Sequence, residues 1–478
     1  MRVLRIGGIP PEDLAALLSS WARSPDDVQT HARLLADRGD LALDPGAFGP
    51  DRPAAPRHAL LEGYGHSSNA EHAVVHLALE QVSLLAARAI LDCRLASFTE
   101  KSGRYRSTAD LVVPVPAELT DPASQSLFEE QVERLAAARR TFAGPLLKYL
   151  QRAFPPSDGE TEAQAETRNR ATAQTLLRHL VPLGALTDLC LTTNARTLRG
   201  ILTKLASAEE AEQRALGEAI HAAAAPALPS LLEFTGPSAY RIDTRRALSS
   251  WAEELLGAGR GSGAETNGAV LVRTPDHVDE RLVAAILYDH SQHGYRSIRS
   301  RVAALDQDTR LAVVDEYLRR RGRHDAPLRA LEHVSYTFEV ILDAGALREV
   351  LRHRLTSRTS QPLTVRHGYL VEPEIVEAGL EEGWRAVLDD VAEAVAHLSS
   401  TDPIGARALI PMGFRQRVLM TWDLRDLHYF VQLRSRRHGN RSVRHIAQDV
   451  YRQIERAHPL VARSMRVDLG DEGLPGGR

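Results

Sequence analysis

Cysteine is nearly absent from this 478-residue chain, which holds only Cys93 and Cys190. Two distant cysteines build no disulfide framework, and neither stands in a CxxC metal pattern. A reducing, cytoplasmic setting is the expectation. Long apolar runs are missing as well, and none approaches the ~20 residues that span a membrane. The opening MRVLRIGGIPPEDLAALL has neither a long apolar core nor a small-residue cleavage site, so no secretory signal is expected. No strong charge of one sign is present either: 59 Lys and Arg face 62 Asp and Glu, a net charge of −3. A protein that tracks a polyanion is usually basic, so nucleic acid is not expected as a partner. A local basic patch still suffices for a small phosphate ligand.

What is present is ordinary globular material, 43% hydrophobic and 25% charged. At about 150 residues per domain this length suggests two to three domains. Apolar residues recur at three- and four-residue spacing over Val132–Leu150, Ala208–Leu232 and Val376–Leu398, which predicts helices. Strands are expected over Leu111–Pro116 and over Ala269–Val272, the latter closed by a Thr-Pro turn. The predicted class is α+β with helix in excess. The stretch from Gly257 to Gly268, GAGRGSGAETNG, fits neither GxGxxG nor a Walker A loop and reads as a flexible linker. It divides the chain into near-equal halves, which invites a search for a repeat.

The halves match in order. Glu71-His72 opens an apolar run, read as helical, that ends in Asp92-Cys93-Arg94. Glu332-His333 opens a similar run that ends in Arg352-His353-Arg354. The separations from Glu to the last Arg are 23 and 22 residues (71 to 94, 332 to 354). Downstream, Arg178-His-Leu-Val-Pro182 matches Arg407-Ala-Leu-Ile-Pro411, and each arginine is followed 18 residues later by another, Arg196 and Arg425.

Taken singly, the polar groups say little. A triplet such as Arg352-His353-Arg354 at a helix end can grip phosphates through the arginine forks, or can simply complement the helix dipole. The segment from Ser97 to Tyr105 offers hydroxyls, backbone N–H groups and the Arg104 guanidinium, a cradle for a nucleotide phosphate or a plain polar turn. Cys93 beside Arg94 could be a reactive thiolate, but Asp92 opposes ionisation and a buried, inert cysteine is the expectation. His428, His438 and His445 lack an acidic partner that would complete a metal site; they read as surface helix residues, and no metal is expected.

Together these segments resemble the flavin-dependent thymidylate synthase family. Its pattern GHxSxxEH is met at every fixed position by Gly65-His66-Ser67-Ser68-Asn69-Ala70-Glu71-His72. Its signature RHRxxSxNxxSxR is met in the first half after the first two residues, except for Thr99 in place of Asn, and includes Glu100, Ser102, Gly103 and Arg104. The second half keeps Arg352, His353, Arg354 and Ser357 but loses the loop, and Arg329 stands where the leading motif has Ser. The family's NAR segment appears as Asn194-Ala195-Arg196 and as Asp423-Leu424-Arg425. Its catalytic arginine corresponds to Leu205 in the first half and Arg434 in the second, where His438 also matches. Asp423 and Tyr429 replace residues that are usually Asn.

The resemblance implies a tandem duplication of two degenerate copies: copy one over 1–236, a linker over 237–268, copy two over 269–466 and a flexible tail over 467–478. It implies a complete site built from the copy-one loop and the copy-two triplet and arginine, and a reciprocal site that is dead. The implied reaction is reductive methylation of deoxyuridylate at C5, with FAD, NADPH and methylenetetrahydrofolate. Arg434 would be catalytic. Ser68, Glu71, Glu100, Arg352, His353, Arg354, Arg425 and His438 would hold the cofactor. Glu100, Ser102, Gly103, Arg104, Arg407 and Arg434 would hold the nucleotide. A homodimer is implied, since two chains supply the four copies of the family's tetramer. Two alternatives stay open: modification of another pyrimidine nucleotide, and nucleotide or flavin binding without turnover.

Overall fold

A computed structural model describes residues 9–21, 24–25, 28–37, 67–101, 111–233, 235–257, 268–436 and 440–470. Close contacts divide the chain into two compact units. One comprises Met1–Lys101, Pro116–Glu118 and Ala185–Gly259. The other comprises Ser102–Val115, Leu119–Gly184 and Arg260–Arg478. The class is α+β with helix in excess.

The first unit begins with helices α1 (Pro11–Trp21) and α2 (Val28–Asp37). A two-turn 3-10 segment, Ser67–His72, leads into strand β1 (Val74–Ser83), and Ser83 caps helix α3 (Leu84–Leu91). Strand β2 (Ala96–Glu100) follows. Helices α4 (Pro122–Ala153) and α5 (Glu162–Leu177) come next in the chain but pack within the second unit. Strand β3 (Leu186–Asn194) returns to the first unit and pairs antiparallel with both β1 and β2, in the order β1-β3-β2. Helices α6 (Ala195–Ala206), α7 (Ala211–Ala224) and α8 (Ala239–Leu256) complete the unit.

The second unit repeats this plan with additions. Strand β4 (Gly268–Arg273) and helices α9 (Val278–Tyr288), α10 (Tyr295–Ala303) and α11 (Gln307–Leu318) precede the repeat. Then come β5 (Ser335–Asp343), α12 (Ala344–Val350), β6 (Ser357–Ser360), α13 (Pro373–Glu377) and α14 (Glu381–Thr401). Strand β7 (Arg415–Asp423), α15 (Leu424–Arg434), α16 (Arg441–Ala457) and α17 (Pro459–Ala462) close it. The sheet order is β4-β5-β7-β6. Its inner face carries Tyr336, Phe338 and Val340 from β5 and Val418, Met420 and Trp422 from β7, all buried. Helix α16 supplies a matching apolar stripe, with Val443, Ile446, Ala447, Val450 and Ile454 buried at helical spacing.

The apolar runs after Glu71 and Glu332 are therefore strands followed by short helices, not helices throughout. In β5 the buried Tyr336, Phe338, Val340 and Leu342 do alternate with half-buried Ser335, Glu339 and Ile341, but the strand runs without a break into apolar α12, and the combined run reads as one helix. The one-residue difference between 23 and 22 also has a cause. Strand β1 has ten residues and β5 nine, and the register of β1 shifts between Leu79 and Val82. Gln81, at φ 56, is the extra residue of this β-bulge.

Other expectations fare unevenly. The β4 strand forms where AVLV predicts it. Residues 111–116 form no strand, since Pro114 and Pro116 offer no N–H to a ladder. The run from Ala208 is helical only over Ala211–Ala224, and Pro226 and Pro229 lie in the turns that follow. The run from Val376 breaks at Gly379, φ 72, between α13 and α14. Much of the stretch from 237 to 268 is helix α8; residues 258–267 lie outside the described residues. Hydrogen bonds continue through Asp468 and Gly470, into the stretch read as a flexible tail.

Inside the second unit, segments of the two copies exchange backbone hydrogen bonds. Leu183 N–H donates to Ile410 O (2.9 Å) and Met412 N–H to Val181 O (2.8 Å). Gly184 N–H donates to Ala408 O (2.7 Å) and Gly413 N–H to His179 O (2.9 Å). Matched residues differ by 229 throughout (183 and 412, 184 and 413, 181 and 410, 179 and 408), so each bond maps onto its mate, as in an isologous contact. The equivalent helices α4 and α14 pack beside this contact, where Phe142 meets Trp384 (centroids 5.5 Å apart) and Arg134 pairs with Asp390.

The close approach depends on two glycines. A Cβ on Gly184 would meet Ala408 Cβ and O at 3.0 Å, and one on Gly413 would meet His179 Cβ and O at 3.0 Å. Gly184→Val and Gly413→Val should each destabilise the protein by about 1–3 kcal/mol in denaturant titrations. Gly200→Ala, with nothing within 4 Å inside α6, should instead add up to about 1 kcal/mol. Equal, small effects at all three positions would refute the tight-contact account.

Candidate active site

In copy two the triplet follows directly on α12. Asp343 caps that helix, its side chain accepting from Ala346 N–H at 2.8 Å. The helix ends in a turn, with His353 N–H bonded to Val350 O (2.9 Å). Arg358 reaches back to the carbonyls of Leu351 and His353 (3.3 and 3.1 Å) and holds this turn. As a result His353 points inward, 7% exposed, while Arg352 is exposed and Arg354 half-buried.

The last residue of α15 arrives from the other side. Arg434 Nε donates to His353 Nε2 at 2.8 Å and Nη2 donates to Glu349 O at 2.9 Å. Nη1 lies 3.3 Å from the Glu349 carboxylate. Burial, with Arg434 and Arg358 adding repulsion, pushes the His353 pKa down to about 3. The ring is therefore neutral and, because Nε2 accepts, carries its proton on Nδ1. Phe430 and Tyr429 flank it, with centroids 5.1 and 5.5 Å away. Arg348, one turn earlier, is pushed down to about 10 by burial and by Arg352.

Several guanidinium groups thus gather at the end of one short helix with a neutral imidazole between them. The arrangement suits a phosphorylated or anionic planar ligand. Arg178 from copy one stands at the other end of the same helix: a Cβ on Gly345 would lie 3.4 Å from Arg178 Nη2 and 3.0 Å from Asp343 Oδ1.

Copy one keeps the frame and changes the chemistry. Asp92 and Cys93 replace the first two residues of the triplet, Ala89 replaces Glu349, and Leu205 replaces Arg434. Leu205 is fully buried. Its neighbour Lys204 takes over, donating to Ala89 O (2.9 Å), the carbonyl equivalent to Glu349 O, and to Asp92 (3.2 Å). Burial raises the Cys93 thiol, so it stays protonated, and its side chain is only half-buried.

Other site candidates are spread over the frame. Ser68 is exposed, and Glu100 ends β2 half-buried. Glu71 pairs with Arg196 (2.6 Å), just as Arg425 pairs with Glu332 (2.7 Å) in copy two. Arg407 lies in a 3-10 turn, Gly405–Leu409. Ser102, Gly103, Arg104 and His438 lie outside the described residues, as do Gly65 and His66. The residue entering the loop is anchored: Lys101 N–H bonds Asp188 O (3.0 Å) and its ammonium meets the Asp188 carboxylate (2.6 Å). The same carboxylate accepts the Gln81 N–H (2.8 Å), tying bulge and loop entry together.

Sequence reasoning passed over Glu349, Arg348 and Arg358; for Arg348 and Arg358, closeness to the triplet was a signal that could have found them, while nothing in the spacing marked Glu349. It also read His428 as a surface residue. His428 is 1% exposed and accepts from Arg321 (3.1 Å), because its face of α15 turns inward. Among the described residues, no group of three His, Cys, Asp or Glu could hold a metal, and no helix is long and apolar enough to cross a membrane.

The model of the family described as thymidylate synthase complementing protein matches the chain twice, over residues 22–230 and 270–460. The chain belongs to this family. It is a tandem of two family domains, in which copy two keeps the triplet and arginine and copy one does not. Among its relatives, a UPF0159 protein of Chlamydia muridarum is 26% identical over 87% of this chain and 81% of its own length. A UPF0159 protein of Thermoplasma acidophilum is 24% identical over 87% of this chain and 89% of its own. A flavin-dependent thymidylate synthase of Clostridium tetani is 28% identical over 37% of this chain and 69% of its own. A solved flavin-dependent thymidylate synthase from Helicobacter pylori, complexed with FAD and dUMP, covers 42% of this chain at 18% identity with a TM-score of 0.32.

The buried histidine of this family domain fixes a pH dependence. With a folded pKa near 3 and an ordinary unfolded value near 6.5, the unfolded state binds the proton first. Stability is then fully present above pH 6.5 and is lost as pH falls toward 3, by up to about 1.4 kcal/mol per unit. His353→Gln retains an acceptor for Arg434 but cannot titrate. Between pH 6.5 and 4.5 it should lose stability more slowly than the parent in urea titrations; parallel curves would contradict the neutral-histidine assignment.

Proposed function

We propose that this chain is a flavin-dependent thymidylate synthase that methylates deoxyuridylate reductively at C5, in the cytoplasm. The observation that carries this reading is the Arg434–His353–Glu349 cluster, built in copy two alone. Bound FAD, reduced by NADPH, would supply the hydride, and methylenetetrahydrofolate the carbon. The donor set fits such a cofactor: Arg352 and Arg354 offer guanidinium forks for its phosphates, and buried, neutral His353 offers an apolar ring face. Ser68, Glu71, Glu100, Arg425 and His438 complete the proposed cofactor set.

Arg434 would polarise a pyrimidine carbonyl and stabilise the anion that develops as the ring is activated. Glu349 and His353 orient its guanidinium before substrate arrives, so little reorganisation remains for the reacting complex. Ser102, Gly103, Arg104 and Arg407 would bind the nucleotide phosphate. Arg178, at the head of α12, joins them as a candidate. In copy one Leu205 offers a developing anion nothing, and the Lys204–Asp92 pair holds the carbonyl that Arg434 holds in copy two.

Arg434→Ala should lower tritium release from labelled deoxyuridylate a hundredfold or more, equivalent to about 3 kcal/mol. Leu205→Ala should leave turnover near parental and cost about 2–5 kcal/mol of stability, because it empties a buried site. Equal loss of turnover from both would sink the assignment of chemistry to copy two. Flavin absorbance after saturation should give about one FAD per chain, and light scattering should give two chains per particle. Flavin and nucleotide binding without tritium release would show a binding protein instead.

A further inference from the structure

The residues that follow α17 return to the helix that carries Arg434. Ser435, immediately after Arg434, caps the C-terminus of α15 and is 1% exposed. Its Oγ accepts the Asp468 N–H at 2.9 Å. The Asp468 carbonyl accepts from Gln448 Nε2 at 3.0 Å, and Gln448 is itself buried on α16. The same Nε2 reaches Gly470 O at 3.3 Å, while Gly470 N–H closes a turn on Asp468 Oδ1 at 3.0 Å.

Arg466 makes a second attachment. It donates to Gly322 O at 2.9 Å and to Arg321 O. Arg321 in turn donates to His428 Nδ1 (3.1 Å) and Gln432 Oε1 (3.2 Å). Burial pushes the His428 pKa down to about 3, so its ring accepts as a neutral group. His428, Gln432 and Ser435 stand at i, i+4 and i+7, one face of α15. Arg434 leaves a different side of the helix, toward His353.

The last turn of a helix frays, because its carbonyls lack helical partners. Arg434 sits in that turn. We propose that residues 466–470 form a strap that fixes the end of α15 and so sets where Arg434 stands. Asp468 and Arg466 are positioning residues, acting through Ser435 and Arg321 and touching no ligand. Copy one carries a similar bond one position further on: Ser207, which matches Arg436 rather than Ser435, accepts the Ser238 N–H at 2.9 Å. There the chain runs on into α8 and the held helix bears Leu205. Fixing the helix end therefore has a functional consequence only in copy two.

This inference rests on the proposed role of Arg434, and its test separates the two. The comparison uses the flavin-loaded full chain, a chain stopped after Met465, and full-length Ser435→Ala and Ser435→Thr. Stopping at Met465 should lower kcat by about a hundredfold, the size of effect that a small misplacement of a catalytic group produces. The KM for deoxyuridylate and the flavin content should change far less. Ser435→Ala should fall between, and Ser435→Thr, which keeps the hydroxyl, should recover most of the rate. Amide hydrogen exchange over residues 428–436 should accelerate in the stopped chain and in Ser435→Ala, with residues 199–207 of α6 unchanged. Unchanged exchange over 428–436 overturns the strap whatever the activity. If the parent shows no turnover, the proposed function falls while exchange still decides the strap. If the stopped chain fails to fold, the same readouts on Ser435→Ala decide it.

Discussion

The reciprocal backbone contact between residues 179–184 and 408–413 is the constraint on which the geometry of the second unit depends. Four N–H···O bonds in two matched pairs fix Val181–Gly184 and Ile410–Gly413 against each other. Each segment then launches a central strand, β3 or β7, with the same burial pattern along its nine residues. The two strands end on Asn194 and Asp423, and each of these caps the next helix by accepting the N–H three residues on. Eleven residues after the cap stand Leu205 and Arg434. Strand length, cap and helical pitch thus convert one contact into a fixed location for the residue that matters.

That sequence of dependencies explains a substitution that looked damaging in the sequence. Asp423 stands where the family usually has Asn, which raised the prospect of a dead site. In the structure the residue's task is to cap α15, accepting from Asp426 N–H at 2.8 Å. Asn and Asp do this about equally well. Tyr429, the other departure, lies against His353 and is 58% exposed, so its ring is available at the site without filling the core.

The repeat, its motif order and the degenerate positions were legible because they are properties of residue identity and spacing. Secondary structure along the same runs was less so. Periodicity distinguishes a half-buried strand from a helix, but β5 passes directly into the apolar helix α12, so its short period of two is lost in a longer apolar run. The bulge at Gln81 left only a one-residue difference in spacing, whose meaning needs the ladder register to read. Glu349 was invisible for another reason. Nothing in the spacing tells that an acidic residue on α12 turns toward an arginine more than eighty positions away. The role of Lys204 was hidden likewise, since it lies one position from the matched one and reaches the equivalent carbonyl by side-chain length.

The way copy one has decayed separates fold from chemistry. It retains the ion pair of Glu71 with Arg196, the caps at Ser83 and Asn194, and the reciprocal backbone contact. The caps and the backbone contact close polar groups that would otherwise be left unsatisfied, so their loss would cost stability, whereas the exposed Glu71–Arg196 pair contributes little. What copy one has changed are positions 89, 92, 93 and 205, none of which takes part in strand pairing; Asp92 ends α3, but through its backbone N–H, which any residue there except proline supplies. Replacement of an arginine by Leu205 even favours the fold, since the leucine is fully buried where a guanidinium would need partners. The Lys204–Asp92 pair is half exposed and adds little energy, but it satisfies the Ala89 carbonyl that the lost arginine would have served. If the proposed function holds, a duplicated domain under these constraints drifts toward a scaffold: the groups that hold it together persist, and those that would act on a ligand are free to leave.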